Sequence, residues 1–199
     1  MAKSTKNQAK HLTIVFVGTF LLAIAFGLGS EVFVEKVPYL VLALLFLLFI
    51  ILINILFDII GVAVTAANEV PFHAKASNRV SGAGEAVKLI RNADKVANFC
   101  SDVVGDVTGT ISGALGAAIV IDIIKVAHGL EAYEIAVSTV FLALVAGVTV
   151  TGKAWGKNIG FNRANDVVFY VGTVLSWIER TTGIQLVRTG KQRKRGKKA

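Results

Sequence analysis

Long apolar runs, separated by short polar segments, dominate this chain. A helix needs about 17 to 25 mainly apolar residues to cross the ~30 Å hydrocarbon core of a bilayer. The pattern therefore predicts an all-α fold, a polytopic membrane helix bundle of about four transmembrane helices. The predicted spans are residues 12–28, 38–67, 102–126 and 135–151.

Two other segments predict amphipathic juxtamembrane helices. Basic residues alternate with small and apolar ones over residues 68–98, and the sequence Val-Ser-Gly-Ala-Gly interrupts this segment at residues 80–84. We expect two short helices there, lying on the membrane surface. Residues 165–178 are apolar but short for a crossing, so they predict a further interfacial helix. The transmembrane domain then covers residues 12–178, between basic tails at residues 1–11 and 179–199.

Composition agrees with a membrane protein. Hydrophobic residues make up 54% of the chain and charged residues only 17%, which leaves too little polar surface for a soluble domain of this size. The basic residues concentrate in the two tails and in residues 68–98. The positive-inside rule then predicts a multi-pass protein of the cell membrane with both termini in the cytoplasm. The basic C-terminal tail predicts contact with anionic lipid head groups, and nucleic-acid binding is not expected.

No enzyme motif stands out. Cys100 is the only cysteine, and the three histidines lie in separate segments, so neither a disulfide nor a zinc site is predicted. Residues 147–154 nearly match a phosphate-binding loop, but Ala154 lacks the hydroxyl that would bind Mg²⁺, and the run belongs to an apolar helix. We therefore expect a protein that is not an enzyme.

Polar residues inside the predicted spans are the candidate functional residues. A charge at the centre of a spanning helix costs about 2.5–3.5 kcal/mol on insertion scales. Helical spacing places polar residues along one face of each of two spans, and such oxygen atoms suit a hard cation such as Mg²⁺. The candidate ligands are Asn54, Asp58 and Thr65 on the second span and Asp102 and Asp106 on the third.

Two interpretations of these carboxylates follow from the sequence. They bind a cation, or they pair with a lysine and hold the bundle together, with Lys153 as the charge partner of Asp58. The third span also carries glycines at four-residue intervals, which would let another helix approach closely. These helix-packing glycines are Gly105, Gly109 and Gly113.

Three short motifs resemble the transmembrane domain of the cyclin M and CorB/CorC family of magnesium transport proteins. Residues 57–65, Phe-Asp-Ile-Ile-Gly-Val-Ala-Val-Thr, are similar to the family's F-S-G-S-E-T-A-L-T segment. Residues 104–106, Val-Gly-Asp, resemble its I-G-N. Residues 152–157, Gly-Lys-Ala-Trp-Gly-Lys, followed by Asn165, resemble its G-E-I-L-P-K and later Asn. The resemblance extends over about residues 57–168, and we expect a transmembrane domain without the family's CBS-domain pair.

The resemblance implies a dimeric helical membrane domain that transports divalent cations, Mg²⁺ first. It implies that Asp58 and Asp106 stand where the family places oxygen ligands. The chain departs from the family pattern at Lys153, which takes the place of a glutamate. The alternative function is therefore a non-transporting regulatory or interaction subunit, in which an Asp58–Lys153 pair replaces the ion.

Overall fold

The structure is a computed structural model that describes residues 12–13, 15–29, 40–127, 129 and 131–183. All regular structure in these residues is helical, which confirms the predicted all-α class. These residues also include a π-helical segment, Phe99–Val104, and a short 3₁₀ helix, Glu131–Tyr133. The α-helices are α1 (Val15–Gly29), α2 (Leu40–Ala66), α3 (Val70–Ser77), α4 (Ala83–Arg91), α5 (Ala93–Asn98), α6 (Gly105–Val126), α7 (Glu134–Asn162) and α8 (Ala164–Thr182).

Three helices of the described residues are long and apolar enough to cross a membrane. They are α2 with 27 residues, the continuous helical stretch Ala93–Val126 with 34, and α7 with 29. The chain is thus a membrane helix bundle, as the apolar pattern predicts. The first predicted span, residues 12–28, contains α1, a shorter apolar helix among the described residues.

Some helices end at other residues than predicted. The differences occur where the sequence becomes more polar but contains no helix-breaking residue. The fourth span was expected to end at residue 151, but α7 continues to Asn162. Lysine and asparagine lower the hydropathy of residues 152–162, yet no proline stops the helix there. Residues 68–98 hold three helices rather than two, because α5 leads directly into the π-helical segment and α6.

The contacts between residues divide the chain into two compact units. Of the described residues, the first unit contains those up to 59 and those between 98 and 158, and the second contains residues 60–97 and 159–183. Each unit has its own apolar core. In the first unit α2, α6 and α7 contribute Leu47, Ile51, Val107, Ile111, Leu115 and Val145.

Glycines of α7 allow close packing against α2 in the first unit. A Cβ atom on Gly156 would lie 2.8 Å from Cγ1 of Ile59, and one on Gly152 would overlap the side chain of Ile55. The ridge predicted on α6 behaves differently. Gly105 and Gly109 face Asn54 of α2, whereas no described residue lies within 4 Å of a Cβ placed on Gly113.

The second unit packs the short helices α3 and α4 against α8. Its core includes Phe72, Ala86, Leu89 and Val168. Gly82 begins α4 with a φ of 85°, and a Cβ atom there would lie 2.5 Å from the backbone nitrogen of Thr173. The backbones of α4 and α8 therefore meet directly, which fixes the start of α4 on α8.

Candidate functional site

Two polar residues of α2 are buried in the first unit. Asn54 is completely buried and Asp58 is 6% exposed, and the four-residue spacing places both on one face of the helix. Neither polar atom of the Asn54 carboxamide has a hydrogen-bond partner among the described residues, and neither does Oδ2 of Asp58. Buried polar groups are seldom left in this state, so this position is a candidate functional site.

Two lysines of α7 approach the same site. Nζ of Lys157 lies 3.9 Å from Oδ2 of Asp58, and the Lys157 side chain is 53% exposed. Lys153 is half-buried. A Cβ atom on Gly105 would lie 3.7 Å from Nζ of Lys153 and 3.6 Å from Oδ1 of Asn54, so the ammonium group lies on the same side of α6 as the carboxamide.

The ion pair of Asp58 differs from the predicted one. Lys153 was the expected partner, but the ion pair found within the described residues joins Asp58 to Lys157. Contacts between Gly152 and Ile55 and between Gly156 and Ile59 show that α2 and α7 run parallel in this unit. Ile59 therefore lies at the level of Gly156, one turn beyond the contact of Ile55 with Gly152. Lys157, which follows Gly156, is then at the level of Asp58, whereas Lys153 lies one turn earlier.

The π-helical segment supplies a further polar contact. Ser101 Oγ donates a hydrogen bond of 3.4 Å to Oδ1 of Asp58. The segment also buries Cys100, Val103 and Val104. π-helical turns often occur at functional sites, and this one turns a hydroxyl toward the buried carboxylate.

The other predicted ligands do not join this site. Asp102 is exposed on the π-helical segment, and Asp106 is exposed on the first turn of α6. Thr65 is exposed in the second unit, where its hydroxyl donates to the carbonyl of Val62 on its own helix. Within the described ranges, no three His, Cys, Asp or Glu residues come together as a metal site would require. Of the five predicted ligands, only Asn54 and Asp58 lie together.

Two residues of the site were missing from the sequence-based prediction. Lys157 and Ser101 are the residues whose side chains contact Asp58. The spacing of Gly152 and Gly156 is a signal that could have identified Lys157, because small residues four apart on a span indicate a packed face. The sequence offers no comparable signal for Ser101, because a π-helical turn cannot be read from hydrophobic periodicity.

No family model, curated protein or solved structure matches this chain. The family assignment therefore stays a resemblance carried by three short motifs. Residues from each of these motifs border the site: Asp58 from the first, Gly105 from the second, and Lys153 with Lys157 from the third.

The charges around the site favour an internal ion pair over a bound divalent cation. The Asp58 carboxylate pairs with the ammonium group of Lys157, and a second ammonium group, that of Lys153, lies on the Asn54 side of α6, so positive charge is already in excess. Mg²⁺ requires near-octahedral oxygen coordination and is usually bound through one or two carboxylates. Asp58 supplies one carboxylate and Asn54 one carboxamide oxygen, which is an incomplete set beside two lysines.

Proposed function

We propose that this chain is a non-transporting membrane subunit, in which lysine side chains take the place of a divalent cation beside Asp58. The single observation that carries the proposal is the ion pair between Lys157 and Asp58, whose N and O atoms are 3.9 Å apart. The departure from the resembled family at Lys153, where lysine replaces glutamate, supports the same conclusion.

Electrostatics explains why such a site excludes Mg²⁺. Two unit charges 4 Å apart interact by about 4 kcal/mol at an effective dielectric constant of 20. A divalent cation beside Asp58 would be repelled by Lys157 twice as strongly as a monovalent one, but water around the half-exposed Lys157 screens this repulsion well below the buried value, and Lys153 adds a further contribution. Entry of the ion would require both ammonium groups to move away or lose a proton.

Divalent cation transport, with Mg²⁺ as the first candidate, is the second proposed function. One observation favours it: the buried carboxamide of Asn54 and Oδ2 of Asp58 have no hydrogen-bond partner in the described part of the chain. A hydrated cation would satisfy these groups. Lys157 is half-exposed, so its long side chain could turn to solvent and leave Asp58 to the ion.

A Mg²⁺ titration of thermal unfolding distinguishes the two functions. The full-length protein in detergent is compared with Asp58→Asn and with the double variant Lys153→Gln/Lys157→Gln, at constant ionic strength. A ligand that binds only the folded state raises the free energy of unfolding by about 1.4 kcal/mol at a tenfold excess over its Kd. Lys125→Gln is the matched control, because Lys125 pairs with Asp122 at 3.3 Å on an exposed surface.

We expect no Mg²⁺-dependent change of Tm in the wild type or in Lys125→Gln. Any rise of Tm with Mg²⁺ should be confined to the double lysine variant, because only there does Asp58 lack a competing ammonium group. Stabilisation of the wild type that Asp58→Asn abolishes would contradict the proposal. It would support transport instead, and Mg²⁺ uptake by proteoliposomes would be the next measurement.

A further inference from the structure

A cleft in the second unit is separate from the Asp58 site. It has a volume of about 400 Å³ and lies between the turn that joins α3 to α4 and the C-terminal end of α8. Next to the cleft, Gly82 at the start of α4 packs directly on Gly172 of α8. A Cβ on Gly172 would lie 2.5 Å from the carbonyl oxygen of Gly82. The polar lining of the cleft includes Arg79, Ser81, Glu85, Ser176, Glu179 and Arg180.

The two arginines and two glutamates that line the cleft balance in charge, and Lys88, next to both glutamates, adds one positive charge. The two acidic residues, Glu85 and Glu179, each lie 3.8 Å from Nζ of Lys88, which neutralises part of their charge. Arg79 and Arg180 also line the cleft, and neither forms an ion pair within the described residues. Two guanidinium groups are therefore left to bind an anion.

Two hydroxyl groups lie in the same cleft. Oγ of Ser176 lies 3.2 Å from Oγ of Ser81, and Ser176 is only 5% exposed. A single proton occupies the space between two hydroxyl oxygens, so the second hydroxyl proton is available to another acceptor. An anion with several oxygen atoms could accept this proton and bind the guanidinium groups together.

An exposed aromatic and apolar face of α8 indicates the depth of the cleft relative to the membrane. Tyr170, Val174 and Trp177 are 71%, 56% and 67% exposed, and their spacing places them on one side of the helix. Tyrosine and tryptophan are enriched at the level of lipid head groups. Trp177 directly follows Ser176 in the chain, so this face would set the cleft at head-group depth.

We propose that this cleft binds a phosphate group, held by Arg79 and Arg180 and by the Ser81–Ser176 hydroxyl pair. The phosphate can come from an anionic phospholipid head group or from free inorganic phosphate. Arginine suits both, because its planar fork donates two hydrogen bonds to phosphate oxygens. This cleft is a different site from the contact between the basic C-terminal tail and anionic lipid that the sequence predicts.

The test measures thermal unfolding of the full-length protein in a zwitterionic detergent. Phosphatidylglycerol and phosphatidylcholine are added at equal mole ratios, and inorganic phosphate is compared with chloride at equal ionic strength. The variants are Arg79→Gln/Arg180→Gln, Ser176→Ala and the control Arg163→Gln. Arg163 is an exposed arginine of the same unit, at the other end of α8, and does not line the cleft.

We expect phosphatidylglycerol to raise Tm more than phosphatidylcholine does. The double arginine variant should raise the apparent Kd for phosphatidylglycerol about tenfold or more, since hydrogen bonds to charged groups are strong. Ser176→Ala should weaken binding without a change of charge, and Arg163→Gln should leave it unaltered. Circular dichroism checks that each variant is folded.

Other outcomes have defined meanings. Stabilisation by inorganic phosphate with the same arginine dependence, and no preference for phosphatidylglycerol, would support the phosphate site and assign a soluble source. Equal weakening by Arg163→Gln and by the double variant would overturn the proposal, because the effect would then follow total charge. Absence of stabilisation by either phosphate source would also overturn it.

Discussion

At the scale of single residues, Glu69 shows how a local charge cluster sets a dependence on pH. Its carboxylate accepts a 2.6 Å hydrogen bond from Nε of Arg91 and lies 2.7 Å from Nε2 of His73. The hydrogen bonds from Arg91 and His73 lower the pKa of Glu69 below its ordinary value of 4.5. A carboxyl group with a lowered pKa stabilises the fold above pH 4.5, and this contribution is lost as the pH falls through the folded-state pKa.

Glu69→Gln should therefore lower Tm at pH 7 by more than it does at low pH. The difference in Tm from the wild type should shrink as the pH decreases from about 4.5, and differential scanning fluorimetry at several pH values measures it. Asp94→Asn is the control, because Asp94 is an exposed acid of the same unit. A difference that stays constant between pH 7 and the acid range would contradict this assignment.

The polar residues of the Asp58 site show what spacing along a helix can and cannot predict. Helical periodicity placed Asn54 and Asp58 on one face of α2, and both are buried. Periodicity also grouped Asp102 and Asp106 with the glycines of α6, but Gly105 faces α2 while Asp106 is exposed. Adjacent residues point about 100° apart on a helix, and the sequence alone does not reveal which direction faces the interior.

At the scale of elements, the contact between α2 and α7 depends on the absence of a side chain at Gly156. Gly156→Ala would bring its Cβ to 2.8 Å from Ile59, and we expect a loss of about 1–3 kcal/mol from overpacking. Gly147→Ala on the same helix is the control, since none of the residues that the structure describes comes within 4 Å of a Cβ there. Helix propensity predicts that Gly147→Ala is neutral or stabilising by up to about 1 kcal/mol.

Unfolding by denaturant in mixed micelles measures both variants. The double variant Gly156→Ala/Ile59→Ala should cost less than the sum of the two single changes, because the smaller side chain makes room for the new methyl group. Additive costs in this cycle would show that Gly156 and Ile59 do not restrict each other.

The glycines also show why element packing was only partly predictable. Gly105 and Gly109 were expected to let another helix approach, and they face Asn54 of α2. Gly113 belongs to the same predicted ridge, but a Cβ there would have no neighbour within 4 Å in the described part of the chain. A small residue permits close contact wherever a neighbour arrives, but the neighbour's position depends on the whole bundle.

At the scale of the whole molecule, the distribution of basic residues predicts the orientation in the membrane. With Lys- and Arg-rich segments in the cytoplasm, residues 68–98 should be cytoplasmic, and the connection between α6 and α7 should lie outside. Asn78 and Tyr133 are exposed positions in these two connections. Cys100 is 4% exposed, so the wild-type protein provides a low background for thiol labelling.

A membrane-impermeant maleimide tests this orientation in spheroplasts. Tyr133→Cys should react in intact spheroplasts, and Asn78→Cys should react only after the membrane is permeabilised. The reverse pattern would show that the protein is inserted in the opposite orientation. Equal labelling of both cysteines before permeabilisation would show that the predicted number of crossings is wrong.

The membrane class was predictable because it depends on total apolar length rather than on any particular contact. Three of the described helices reach the length needed to cross a bilayer. The hydrophobic content of the whole chain, 54%, agrees with this class. The division into two units was not predictable, because α2 and α7 each cross the boundary without a break in helical sequence. The position of the boundary between the units depends on which helices pack against each other, and hydrophobic periodicity does not reveal this.

The packing of α7 on α2 also has an evolutionary consequence. Ile55 and Ile59 occupy the space left by Gly152 and Gly156, while Asn54 and Asp58 come from the same two turns of α2. A larger residue at position 156 would be tolerated only with a smaller one at position 59, and the same holds for positions 152 and 55. Related sequences should therefore show compensating changes within these two pairs. Substitutions of the buried Asp58 should occur together with changes in the same pairs.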